Sequence, residues 1–125
     1  MGEETIITDA QILESILYSI KQMIGVPVES TDYDTDLIIH INSVFAIMTQ
    51  LGIGPKAGFA ITGPEQKWTD FIADEIKIAM YKSYMFMKVK LIFDSTTLSG
   101  SVIESYKELI REFEWRAHIE GDTDE

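Results

Sequence analysis

The sequence predicts an all-α fold: a four-helix bundle-like domain with one long central helix. A Gly/Pro-rich loop or short hairpin is expected between helices two and three. Three observations carry that prediction. Apolar residues recur at three- and four-residue spacing in four segments, the signature of helices that bury one face. Gly, Pro, Ser and Asp mark the breaks between those segments, where helices stop and turns form. Only Phe59-Ala60-Ile61-Thr62 reads as a candidate strand.

The first helix follows Thr8 and Asp9, both good N-caps, with Gln11 in capping-box register to Thr8. At about 100° per residue, Ile12, Leu13, Ile16, Leu17, Ile20, Met23 and Ile24 fill one face. Glu14, Tyr18, Lys21 and Gln22 lie opposite, and Gly25 supplies the C-terminal stop. Val26-Pro27 to Thr35 is a loop, because Pro27 interrupts a helix and Ser30, Thr31, Asp32 and Asp34 favour turns.

The second helix starts near Thr35 or Asp36, where acidic side chains complement the helix dipole, and ends at Gly52. Leu37, Ile41, Val44, Phe45, Met48 and Leu51 make its apolar face. Between Ile53 and Gln66, three glycines and two prolines cut any helix. Phe59 and Ile61 then act as apolar anchors of the loop, or of a strand that pairs with another copy of the chain.

The third helix is expected from about Lys67 to Phe93, roughly 40 Å at 1.5 Å per residue. Ile72, Ile76, Met80, Met87 and Leu91 form one apolar face, and Phe71, Ile78, Met85 and Val89 a second. Two apolar faces call for two packing partners, within this bundle or in a neighbouring subunit. After a Ser/Thr/Gly linker, Ser99 or Ser101 caps a last helix to about Ile119, with Ile103, Tyr106, Ile110, Phe113 and Ala117 as its core stripe. Glu104, Glu108 and Glu112 recur on the opposite side, and Trp115 falls inside that acidic row. Such a Trp either anchors a partner or folds back onto the core. One domain over 8–119 is therefore expected, with a flexible amino terminus (1–7) and a disordered acidic tail (120–125).

Composition narrows the function classes. The 125 residues carry 21 Asp and Glu against 10 Lys and Arg, a net charge of −11. That balance argues against gripping nucleic acid, which needs clustered cations. It serves solubility, or keeps passing DNA from sticking. There is no cysteine, so neither disulfides nor thiolate metal sites are expected. The acidic start Met1-Gly2-Glu3-Glu4 is unlike a signal peptide, and no uncharged run is long and apolar enough to span a membrane, which predicts a soluble chain.

No reaction chemistry is legible. Asp32-x-Asp34-x-Asp36 resembles the start of a calcium loop, but Leu37 and Ser43 stand where an EF-hand needs Gly and Glu. His40 and His118 have no partner at metal-ligand spacing. Gly52-x-Gly54 lacks the Gly-Lys-Ser/Thr ending of a phosphate loop, and no Ser sits in a Gly-x-Ser-x-Gly elbow. No catalytic residue, metal ligand or cofactor is assigned, and a non-enzymatic protein is expected.

From Ile41 to Phe71 the order of features is distinctive. Asn42-Ser43 is followed by the helix stop Gln50-Leu51-Gly52-x-Gly54-Pro55, then Gly58-Phe59-x-Ile61, then Trp68-x-Asp70-Phe71. Lys82-Ser83-Tyr84, Lys88-Val89-Lys90-Leu91-Ile92-Phe93-Asp94 and Glu112-x-Glu114-Trp115-Arg116 continue it. This succession resembles the head–tail connector (head-completion) proteins of long-tailed double-stranded DNA phages. Ser95-Thr96-Thr97 departs from the proline-containing turn of related chains, which affects the linker geometry alone.

The resemblance implies a helical subunit that forms a homo-oligomeric ring, docks on the portal protein and carries the next neck or tail protein. DNA then crosses its acidic lumen unbound, at the virion head–tail junction, after assembly in the host cytoplasm. Candidate subunit or portal contacts are Phe59, Ile61 and Trp68 around the loop, with Arg111 and Trp115 on the last helix. Phe71, Ile78 and Met85 are a further candidate subunit face. The alternatives are another neck protein (a stopper or tail terminator), usually richer in strand, or an acidic DNA-mimic type of inhibitor that fills a basic cleft.

Overall fold

The computed structural model describes residues 6–123, with side chains described to Ile119. The amino-terminal residues 1–5 and the last two, 124–125, lie outside the described residues. Six α-helices are present among the described residues: α1 (Asp9–Glu14), α2 (Ile16–Ile24), α3 (Asp34–Gln50), α4 (Trp68–Phe71), α5 (Glu75–Phe93) and α6 (Gly100–Thr123). A short 3-10 turn over Ser95–Thr97 joins the last two, and the described residues contain no strand. The all-α class therefore holds, with two of the expected helices each divided in two.

The expected first helix breaks at Ser15, whose backbone is extended (φ −73°, ψ 132°). A serine hydroxyl competes with the helix for backbone donors and is at its best as a cap. Here it accepts the N–H of Tyr18 at 3.2 Å and starts α2. The freed N–H of Ile16 donates to the carbonyl of Gln66 at 3.1 Å, and Ser15 forms an antiparallel bridge with Lys67. The kink takes Leu13 off the core face, leaving it 61% exposed, while Ile16, Leu17, Ile20 and Ile24 are buried.

The expected third helix breaks at Ile72, which is extended (φ −154°, ψ 144°). Asp74 restarts it, accepting from the N–H groups of Ile76 and Lys77 at 3.0 and 3.3 Å. α5 is thus 19 residues, roughly 28 Å rather than 40 Å. The break turns Phe71 into an aromatic cluster, its ring 4.7 Å from Phe45, 5.3 Å from Phe59 and 6.0 Å from Tyr81. α5 packs against α2, α3, α4 and α6. α3 behaves as its pattern predicts, with Leu37, Ile41, Val44, Phe45 and Met48 all buried.

Three lysines do structural work. Lys21, expected on a solvent face, is wholly buried. Its ammonium donates to the carbonyls of Val28 (3.1 Å) and Ser30 (2.5 Å) and pairs with Asp34 at 2.8 Å. The α2–α3 loop curls over this charge, and three acceptors replace its water. Lys82 donates to the carbonyl of Leu13 at 3.0 Å and Lys90 to that of Ile24 at 3.4 Å. Each places a cation at the C-terminal end of a helix, where the dipole favours it.

The loop between α3 and α4 makes no strand at residues 59–62. Instead the Asn42 amide on α3 accepts the N–H of Ile61 at 2.8 Å and donates to its carbonyl at 3.0 Å, reproducing a strand partner's two bonds with one side chain. Gly54 (φ +83°) lets the loop pass over the Phe71 ring, because a Cβ there would stand 2.4 Å from Cε1. At the other end of the chain, α6 runs past Ile119 to Thr123, so its backbone enters the tail expected to be disordered.

Asp34→Ala leaves the Lys21 ammonium buried without its counter-charge. A loss of about 3 kcal/mol in urea unfolding followed by circular dichroism is expected. The double variant Lys21→Met with Asp34→Ala should recover much of that loss, and a single variant as stable as the parent would refute this role for the pair. Gly54→Ala, strained in backbone and crowded by Phe71, should cost roughly 1–3 kcal/mol in the same assay.

Candidate interaction surface

α6 is held to α5 by aromatic contacts, among them Phe86 against Tyr106 at 5.8 Å, and by polar contacts to Glu114. Tyr84 and Phe113 stack with centroids 4.2 Å apart at 19°, and Tyr81 meets the edge of Phe113 at 5.8 Å. The Tyr84 hydroxyl donates to Glu114 at 2.6 Å, and Lys88 pairs with the same carboxylate at 3.6 Å. Burial, followed by the hydrogen bond and negative charge of Glu114, pushes the Tyr84 phenol far above its ordinary value. Burial also lowers the Lys82 ammonium.

Two hollows flank this junction. The larger, of about 730 Å³, lies between α5, α6 and the turn after α3, with Met80, Tyr84, Met87, Leu109 and Phe113 among its walls. The smaller, of about 300 Å³, is lined by Lys88, Leu91, Ile92, Lys107, Ile110 and Arg111. The outer face of α6 carries exposed Glu104, Glu108 and Glu112, and Trp115 is 63% exposed among them, as the helical spacing predicts.

The eight contact residues read from the sequence do not form one surface. Ile61, Trp68, Phe71 and Met85 are at most 3% exposed and belong to this subunit's own core. Trp68 donates its indole N–H to the Ser19 hydroxyl at 2.8 Å, a buried bond that fixes α4 against α2. Phe59 and Ile78 are partly buried and packed against the same core. All six pack within the chain, and for Phe71 the Ile72 break is what turns the ring into that core. Arg111 and Trp115 alone of the eight stand open on α6.

Sequence reasoning missed both hollows. Exposed Ile76 and Met80 read as part of an apolar face, and exposed Ile92 and Leu109 fell outside the assigned stripes, since periodicity gives a face but not whether another helix covers all of it. Lys107 and Arg111, four apart on α6, were the legible signal for the smaller one. Among the described residues no group of three or more His, Asp or Glu is placed to hold a metal ion, and no helix is long and apolar enough to cross a membrane.

The profile of the family described as phage connector protein matches residues 16–124. The chain belongs to this phage connector family. The match opens at Ile16, the residue at which α2 begins after the Ser15 break, and takes in every later helix. No curated protein and no solved structure matches the chain. As a phage connector it is a structural neck protein of the head–tail junction, whose partners are portal and head–tail proteins.

The connector's Tyr84–Glu114 bond makes α6 docking sensitive to alkali. Tyr84 titrates higher in the folded chain than its unfolded value of 10.0, so its contribution is present below about pH 10 and is lost as pH rises beyond it. Stability should fall more steeply above that pH in the parent than in Tyr84→Phe, which itself should cost roughly 1–2 kcal/mol at neutral pH. Parallel pH profiles for the two proteins would refute it.

Proposed function

We propose that this connector forms a homo-oligomeric ring at the head–tail junction of a long-tailed double-stranded DNA phage. It docks on the portal, carries the next neck or tail protein and lets DNA pass through an acidic lumen. The family match over residues 16–124 is the observation that carries this reading. Physical features support it. A net charge of −11, multiplied around a ring, repels phosphates, so the genome slides through without binding. The exposed apolar positions beside α5 and α6 give a neighbouring subunit something to cover.

Assembly follows from concentration. The free chain in the host cytoplasm is monomeric or weakly associated, and it closes into a ring where the portal presents many sites side by side. A strand-rich stopper or tail terminator fits less well with the all-α chain.

The test is to mix the purified chain with its genome's portal protein and image the product by electron microscopy. A ring added at the narrow end of the portal is expected. An intact portal that stays bare overturns the reading and brings forward an acidic inhibitor of a basic cleft. Gel filtration without portal should give a small species at low micromolar concentration, and a stable ring there would contradict portal-dependent assembly. The chain should also fail to retard duplex DNA at physiological salt.

A further inference from the structure

We propose one particular contact between subunits: the outward face of α3 on one copy seats in the larger α5–α6 hollow of the next. The inference rests on the ring reading above and adds which surfaces meet. Two copies that each carry a net charge of −11 repel, so they meet where neither presents a field of carboxylates. α3 offers such a face. No Asp, Glu, Lys or Arg stands between Asp36 and Lys56, a stretch that holds most of this helix. On its outward side Ile39 is 57% exposed, with Ser43 and Ala46 exposed beside it. Ser43 donates its hydroxyl to the Ile39 carbonyl at 3.0 Å, so covering it strands no donor.

The hollow offers the matching surface. Met80, Met87, Leu109 and Phe113 are among the walls of its about 730 Å³. Exposed Ile76 continues that side of α5 one turn before Met80. Of the charged walls, Glu112 and Arg116 pair with each other at 2.6 Å, which leaves Lys77. Charge is depleted at the centre of a subunit contact, and an apolar groove of this kind takes a helix laid along it. Ile39 projects from α3 between small neighbours, so it can reach the floor while Ser43 and Ala46 let the two backbones come close.

The two surfaces lie on opposite sides of the subunit. α3 packs on α5, and its buried side carries Leu37 and Val44. Ile39 and Ala46 follow these by two residues each, roughly 200° around the helix at about 100° per residue. On α5, Met87 stands two residues from both Met85 and Val89, which are fully buried on the flank covered by α2, α3 and α4. Each patch therefore points away from the α3–α5 packing, and the two point in opposite directions. That is the arrangement of a head-to-tail contact that repeats from copy to copy and closes into a ring.

The chain has no cysteine, so single-cysteine variants report the contact directly. Ser83 lines the hollow and Ser43 lies on the α3 face, and both side chains are small and exposed. Ser43→Cys and Ser83→Cys chains, mixed on the portal and treated with a short bismaleimide, should give the mixed dimer in excess of either homodimer. Ile39→Asp and Met80→Asp, each placing a carboxylate in one patch, should each lower ring occupancy on the portal about tenfold or more, with helical circular dichroism unchanged. Parent rings on the portal with no mixed dimer overturn this contact and leave the ring reading standing. So do Asp variants that load the portal as the parent does. Ser43→Cys homodimers in place of mixed dimers overturn it too, since they mean a two-fold α3–α3 pairing. A portal left bare by the parent chain removes the ring reading and this contact with it.

Discussion

A long helix that is apolar on more than one side must be covered on more than one side, and α5 imposes that constraint on the whole chain. α2, α3 and α4 cover one flank, where Met85 and Val89 are fully buried. α6 covers another through the stacked Tyr84 and Phe113. The cover is incomplete at the first turns of α5, where Ile76 is 82% exposed and Met80 48%. Among the described residues no further helix lies over them. The apolar positions left open by folding therefore gather beside α5 and α6.

The two breaks in expected helices serve the same end. Had the first helix continued through Ser15, Leu13 would stay on the core face and the segment before α4 would lose its backbone partners at Ser15 and Ile16. Had α4 run into α5, Phe71 would lie along the helix rather than among Phe45, Phe59 and Tyr81. Each corner is stabilised by a short polar side chain (Ser15, Asp74) that satisfies the orphan donors of the following helix. Trp68 then ties α4 to α2 through the Ser19 hydroxyl, so both corners are fixed against one another.

How much of this was legible follows from what periodicity can encode. The α3 stripe and the α6 stripe were readable because each helix has one buried face, and Trp115 was readable as its opposite. Lys21 was not, because a lysine at a polar position gives no sign that a loop will close over it with two carbonyls and an aspartate. Nor were the corners, since Ser15 and Asp74 are as acceptable inside a helix as at its start when only spacing is considered. Of the candidate contacts, Ile61, Trp68, Phe71 and Met85 are buried in the chain's own core, because sequence alone does not say which large apolar residues stay outside. Resemblance to the connector family was visible in the order of short features, a kind of signal that periodicity does not carry.

Several of the chain's cations are turned onto its own groups. Lys21, Lys82 and Lys90 direct their ammonium groups at the chain's own carbonyls, and Lys21 and Lys90 also pair with carboxylates. Lys88 is held by Glu114. Of the remaining cations, Lys107 and Arg111 sit together at one hollow. Along the row Glu104, Glu108 and Glu112, Lys107 stands 3.9 Å from Glu104 and Arg116 pairs with Glu112 at 2.6 Å. Phosphate retention needs several mobile cations at once, because each contact adds only a modest share of the binding free energy. Lys21, Lys82, Lys88 and Lys90 are each committed to groups of this chain, so recruiting them to phosphates would mean giving up contacts that hold its own helices together.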